Sequence, residues 1–136
     1  MRPILKPTLL LLLAAAGFQC KRDNTQPILT GKLVVENGCM YSAIEVVGGQ
    51  YDPSRVSATW KDPDNDSVFH NVFAISAVRD ACDISAYGVS KGDVFQFQMD
   101  PHPQNIICND CAVGVPPPAL PPVSDAVMNI KKINNN

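Results

Sequence analysis

Asp93-Val94-Phe95-Gln96-Phe97-Gln98-Met99-Asp100 alternates apolar and polar side chains without a break. Successive side chains of a β-strand point to opposite faces, so Phe95, Phe97 and Met99 share one face while Gln96 and Gln98 share the other. The Lys91-Gly92-Asp93 turn opens this strand. Working outward, residues 28–36 (ILTGKLVVE) carry a second alternation and run into Asn37-Gly38, a hairpin-turn dipeptide. Residues 40–47 (MYSAIEVV), 68–76 (VFHNVFAIS) and 127–133 (VMNIKKI) supply three more runs, rich in β-branched and aromatic residues. Residues 56–60 add a short edge strand.

No window sustains a helical stripe, and residues 77–87 offer at most a turn or two. Five strands with short helical or irregular matter between the third and fourth follow the element order of an OB-fold. The expected fold is therefore all-β: a small closed five-stranded OB-like barrel with long Pro- and Cys-bearing loops. An open β-sandwich is the alternative.

The 136 residues suit one domain, and 12 prolines and 8 glycines suit a loop-rich β protein. Eleven basic against thirteen acidic residues exclude a strongly basic nucleic-acid binder. With 46% hydrophobic residues the chain is too apolar for a disordered acidic tail.

The N-terminus reads MRPILKPTLLLLLAAAGFQC. Arg2 and Lys6 form a positive flank, and residues 9–16 form an apolar run much shorter than the roughly 20 residues needed to span a bilayer. This is the pattern of a secretory signal peptide. Cys20 at the end of the apolar run, followed by polar Lys21, Arg22, Asp23 and Asn24, resembles a bacterial lipoprotein signal. The resemblance implies acylation of Cys20, with residues 1–19 removed and residues 20–27 forming the acylated cysteine and a flexible tether before a barrel domain at 28–136. Gln19 stands where most lipoproteins have a small residue. Removing residues 1–19 takes away Arg2 and Lys6 and no acid, so nine basic residues face thirteen acidic ones and the net charge falls from −2 to −4. Attraction to anionic headgroups cannot hold such a protein, so its membrane partner is reached through the acyl chains on Cys20.

Cys39, Cys82, Cys108 and Cys111 remain. An even number in an exported domain points to two disulfides, with three connectivities open. If the second and third strands are a simple antiparallel pair, Cys39 and Cys82 share one barrel end while Cys108 and Cys111 share the opposite loop. That favours Cys39–Cys82 with Cys108–Cys111, the former closing the longer and more stabilising loop. The spacing Cys108-Asn109-Asp110-Cys111 is also that of a thiol–disulfide site. No helix follows to lower a thiol pKa, however, and Asp110 would raise it. A zinc site using these thiols with His70 and His102 has no usual ligand spacing.

Asp62-Pro63-Asp64-Asn65-Asp66-Ser67 begins like a calcium loop, but Ser67 replaces the required Gly and Phe73 the required Glu of an EF-hand. A solvated acidic turn is the expected reading, an irregular calcium site the alternative. Tyr41, Phe69 and Phe73 lie on the second and third strands, which form the ligand face of OB barrels, and mark a candidate ligand face. The acidic mature charge argues against nucleic acid there. Residues 116–122 (PPPALPP) read as a stiff polyproline covering segment.

The lipoprotein start, Gly38-Cys39 after the first strand, Gly92-Asp93 before the fourth, the Cys- and Pro-bearing loop and the closing Asn129-Ile130-Lys131-Lys132-Ile133 resemble small Bacteroidota-type lipoproteins. The resemblance brings no catalytic residues and no cofactor. The expected role is that of a lipid-anchored envelope protein that binds or scaffolds and is no enzyme. By analogy with sorting rules, Lys21 rather than Asp after Cys20 implies the outer membrane, facing the periplasm or the exterior. A periplasmic thiol–disulfide protein and a proteinaceous hydrolase inhibitor are the alternatives.

Overall fold

The computed structural model describes residues 25–37, 42–106, 108 and 119–134. The strands are β1 (Leu29–Glu36), β2 (Ser42–Gly48), β3 (Ser57–Lys61), β4 (Val68–Val78), β5 (Val94–Met99) and β6 (Ser124–Lys132). Two single-turn 3-10 helices, Pro53–Arg55 and Ile84–Tyr87, are the helical content of the described residues. Five strands close into a barrel in the ring order β1-β2-β4-β6-β5. All neighbours are antiparallel except β4 and β6, which run parallel. Numbered within the barrel alone, the ring is 1-2-3-5-4, the connectivity of an OB-fold. β3 lies outside the barrel as a hairpin partner of β4.

Alternation is strict in β5: Phe95, Phe97 and Met99 are buried, and Gln96 is exposed. Phe97 sits centrally, with its ring centroid 5.7 Å from that of Phe95 and 5.9 Å from that of Phe73 on β4. Leu29 and Leu33 flank this group from β1, with Gly31 between them. A Cβ at Gly31 would stand 2.6 Å from Ile44 Cγ2 and 2.8 Å from Phe97 Cε1. The glycine therefore makes room for the aromatic ring inside a barrel too narrow for both side chains. Ile84, on the second 3-10 turn, and Val89 are fully buried and join the same core. Asp83 caps that turn by accepting from the Ile84 amide at 2.6 Å.

Elsewhere the alternation is interrupted. Asn71 in β4 and Asn129 in β6 hold left-handed backbone, with φ of 52° and 53°. Asn tolerates this region better than most residues. At Asn129 the β5–β6 register slips: Gln96 faces Lys131, whereas Gln98 faces Met128. The extra residue on β6 is a bulge, which bends the strand and helps a short barrel to close.

The disulfide expectation requires correction. Cys82 is bonded to Cys108, with 5.7 Å between their Cα atoms, so neither Cys39–Cys82 nor Cys108–Cys111 forms. Cys39 and Cys111 lie outside the described residues. The flat-pair picture behind the expectation ignored barrel stagger. Val78 at the end of β4 and Met99 at the end of β5 both pair with Val127 of β6. The segments leaving β4 and β5 thus start two strands apart at one level, and Cys82 meets Cys108 across them.

The same register places the described ends of the segments that carry Cys39 and Cys111 on one level. Ala43 near the start of β2 pairs with Ala74, which pairs with Ser124, where the chain from Cys111 rejoins the barrel. Peptide mapping of the non-reduced protein should yield Cys82–Cys108 and Cys39–Cys111. The Cys82–Cys108 loop spans 26 residues, for which chain entropy gives roughly 3.5 kcal/mol. A Cys82→Ala/Cys108→Ala variant should lose about that much in urea unfolding. A Cys39–Cys108 peptide would refute the register argument.

Candidate functional site

A cavity of about 380 Å³ opens at the barrel mouth where β1 begins and β2 ends. Leu29 and Met99 form its apolar base, and Gln26, Gln50, Tyr51 and Arg55 are among its walls. The wall follows from local chain geometry. Gly49 has φ of 98° and packs directly on the Ile28 carbonyl, so that a Cβ there would be 2.9 Å from this oxygen. The chain then enters the Pro53–Arg55 turn, capped by Asp52, which accepts from the Ser54 amide at 2.9 Å and the Ser54 hydroxyl at 2.8 Å. These bonds hold the Asp52 carboxyl below the usual carboxylate range. Arg55 donates through Nε and a terminal nitrogen to both oxygens of Asp125, each at 2.6 Å. Its charge is thereby matched within the protein. The mouth offers an apolar floor under amide and phenol groups, suited to a small amphiphilic or apolar group. Among the described residues that line it, no nucleophile is paired with a general base.

The expected aromatic ligand face does not assemble. Tyr41 lies outside the described residues. Phe73 is fully buried inside the barrel against Phe97. Phe69 is half-buried on the outside, stacked on Trp60 of β3 with centroids 6.1 Å apart and planes at 20°. Perfect alternation would put Phe69 and Phe73 on one face; left-handed Asn71 between them separates them. Trp60 and Phe69 pack with Val34, Ala43 and Val72, a small second core outside the barrel wall. β3 thus covers with its own tryptophan part of the face on which OB barrels bind ligands. Residues 56–60 read in sequence as an edge strand, and no sequence pattern marks Trp60 for this role.

The remaining candidates are scattered. Cys20 lies outside the described residues, as do Cys39 and Cys111. Cys108, the first cysteine of the CxxC spacing, is bonded to Cys82 and not to Cys111. His70 is exposed on β4; its amide donates to Glu45 at 3.3 Å, and its Nδ1 is 3.5 Å from Thr59 Oγ1. His102 sits in the loop after β5 and donates its amide to Asp100 at 2.9 Å. The acidic stretch is the β3–β4 hairpin turn. Asp62 is buried and turns inward to accept from the Asp64 amide at 3.0 Å, while Lys61 pairs with Asp66 at 2.7 Å. Among the described residues no group of three or more His, Cys, Asp or Glu side chains is arranged to hold a metal.

One polar network was not anticipated. Asp100, 3% exposed, accepts from the Arg79 guanidinium through both oxygens. Tyr87 donates its hydroxyl to the Arg79 carbonyl at 2.6 Å. The network ties the end of β4, the 3-10 turn and the exit of β5 together beside the disulfide. Its members are separated by 21 residues or fewer, but no local pattern marks an Arg and an Asp as partners before the register is known.

Comparisons with family models, curated proteins and solved structures found no match.

The Arg79 hydrogen bonds hold the Asp100 carboxyl below its usual range, against an opposing push from burial. A depressed native pKa contributes stability that is fully present above about pH 4 and is lost as pH falls through the native value. Asp100→Asn should lower Tm at pH 7, and the gap from wild type should narrow steadily below pH 4 in thermal scans. A gap independent of pH would show that the ion pair contributes nothing to acid stability.

Proposed function

We propose that this chain is a lipid-anchored, exported protein of the bacterial envelope, whose barrel serves as a non-catalytic binding or scaffolding module at the outer membrane. The observation that carries the reading is the junction between the two parts of the chain. A charged flank, a short apolar run and Cys20 come first, and β1 starts at Leu29. Only a short polar segment separates the proposed acylation site from the barrel. Two further features support the reading. The bond between Cys82 and Cys108 suits an oxidising compartment. It also leaves the CxxC spacing without the internal disulfide that a thiol–disulfide site uses, which favours binding over redox catalysis. The barrel mouth at Leu29, Tyr51 and Met99 is the place where a ligand of such a module would sit.

Expressed in a bacterial host with radiolabelled palmitate, the wild-type chain should take up label and sediment with membranes. Cys20→Ser should take up none and should move to the soluble fraction. Equal labelling of both proteins would end the lipoprotein reading. Labelling with no change in membrane retention would show that the acyl chains are not the anchor.

A further inference from the structure

We infer that the tether end of the barrel wall rests on the phospholipid surface, through an apolar rim formed by Ile28, Val47 and Val68. The inference builds on acylation of Cys20 and adds an orientation to it. Four large apolar side chains are exposed among the described residues, and three of them are these: Ile28 at 62%, Val47 at 51% and Val68 at 52%. They come from three separate strand regions, and the register brings them to one rim. Thr30 of β1 pairs with Gly48 of β2, so Ile28 lies level with the end of β2, where Gly49 packs on its carbonyl. Val47 stands next to that end. Glu45 of β2 pairs with Val72 of the antiparallel β4, so counting back four residues along β4 brings Val68 level with Gly49. The His70 amide, bonded to Glu45, keeps this overhanging part of β4 beside β2.

Chain length supplies the occupant. Thr25 lies five residues beyond Cys20, a stretch that spans at most about 18 Å when fully extended. Acyl chains on Cys20 would therefore hold Thr25, three residues before the rim at Ile28, within that distance of the headgroups, whatever path the segment takes. Lys91, at the far end of the eight-residue β1, is bonded through its amide to Glu36. It is farther from the tether by nearly the length of the strand, about 23 Å. Among the described residues the exposed large apolar side chains of the strand regions gather at the tethered end, which suits shallow insertion at the interface between headgroups and acyl chains. Half-buried Trp60 and Tyr51 near the same end are of the residue types that favour this interface. The charges nearby set a preference among lipids. Asp62, Asp64 and Asp66 occupy the adjoining hairpin turn against Lys61. The contact should thus be closer on zwitterionic than on anionic bilayers.

The test uses full-length acylated protein reconstituted into phosphatidylcholine vesicles containing brominated phosphatidylcholine. Trp60 is the single tryptophan, so Trp60→Phe provides a dark background for Val47→Trp and, as the distal control, Lys91→Trp. Bromine should quench Val47→Trp at least twofold more than Lys91→Trp, and the difference should shrink when phosphatidylglycerol is added. Equal quenching in protein that carries acyl label and floats with the vesicles would overturn the orientation while leaving the anchor intact. Protein that carries no label would remove both. Should Trp60→Phe fail to fold, hydrogen exchange on the unmodified chain decides the matter. Amides of residues 45–50 should exchange more slowly in the vesicle-bound protein than in Cys20→Ser, with residues 88–93 unchanged. Identical exchange across 45–50 would refute the contact.

Discussion

The parallel pairing of β4 with β6 is the interaction on which the rest of this molecule depends. It is the single parallel contact in an otherwise antiparallel ring, and it joins strands far apart in sequence, with Ala74 opposite Ser124 and Val78 opposite Val127. Without it, the second half of β4, beyond its pairing with β3, would be a sheet edge and the faces of Phe73, Ile75 and Val78 would lie open. With it the sheet closes, and those side chains meet Phe95, Phe97 and Val127 in one core. Closure also staggers the strands, as any small barrel must. The stagger aligns the ends of β4 and β5, and from that alignment follow the Arg79–Asp100 pair and the Cys82–Cys108 bond.

These two contacts act on different states of the chain. The disulfide narrows the unfolded ensemble, whereas the ion pair acts in the native state and depends on Asp100 being charged. Both sit on the segment where the long loop after β5 departs. A covalent link and a buried charge pair at the root of the loop limit how far that segment can stray from the barrel. Small β domains with modest cores commonly rely on such cross-links.

The functional proposal distributes roles along the length of the barrel. The end at which β1 starts, which the proposed anchor would tether, has the cavity at Leu29, Tyr51 and Met99 together with the exposed rim of Ile28, Val47 and Val68. The outer wall, where OB barrels expose their ligand face, is partly covered by Trp60 and Phe69. Binding is accordingly assigned to the mouth and not to the wall. A mouth beside the anchor would keep a ligand close to the bilayer.

Strand identity was legible in the sequence because it is a local property. The alternation of Phe95, Phe97 and Met99 marks an inward face whatever pairs beside it, and the order of five such runs was enough to indicate an OB-like barrel. The proposed lipoprotein signal ending at Cys20 rests on an equally local pattern, a charged flank, a short apolar run and a cysteine in succession. What tertiary structure alone decided was everything that depends on register. Left-handed Asn71 separated Phe69 from Phe73, although their spacing of four suggests a common face. The stagger gave Cys82 a partner that a flat sheet would have placed at the other end. The rim of Ile28, Val47 and Val68 came together from three strand regions that share no sequence pattern. A side-chain period of two fixes which face a residue takes on its own strand. Which residues lie level on neighbouring strands is determined only when the ring closes and the bulges set the offset between them.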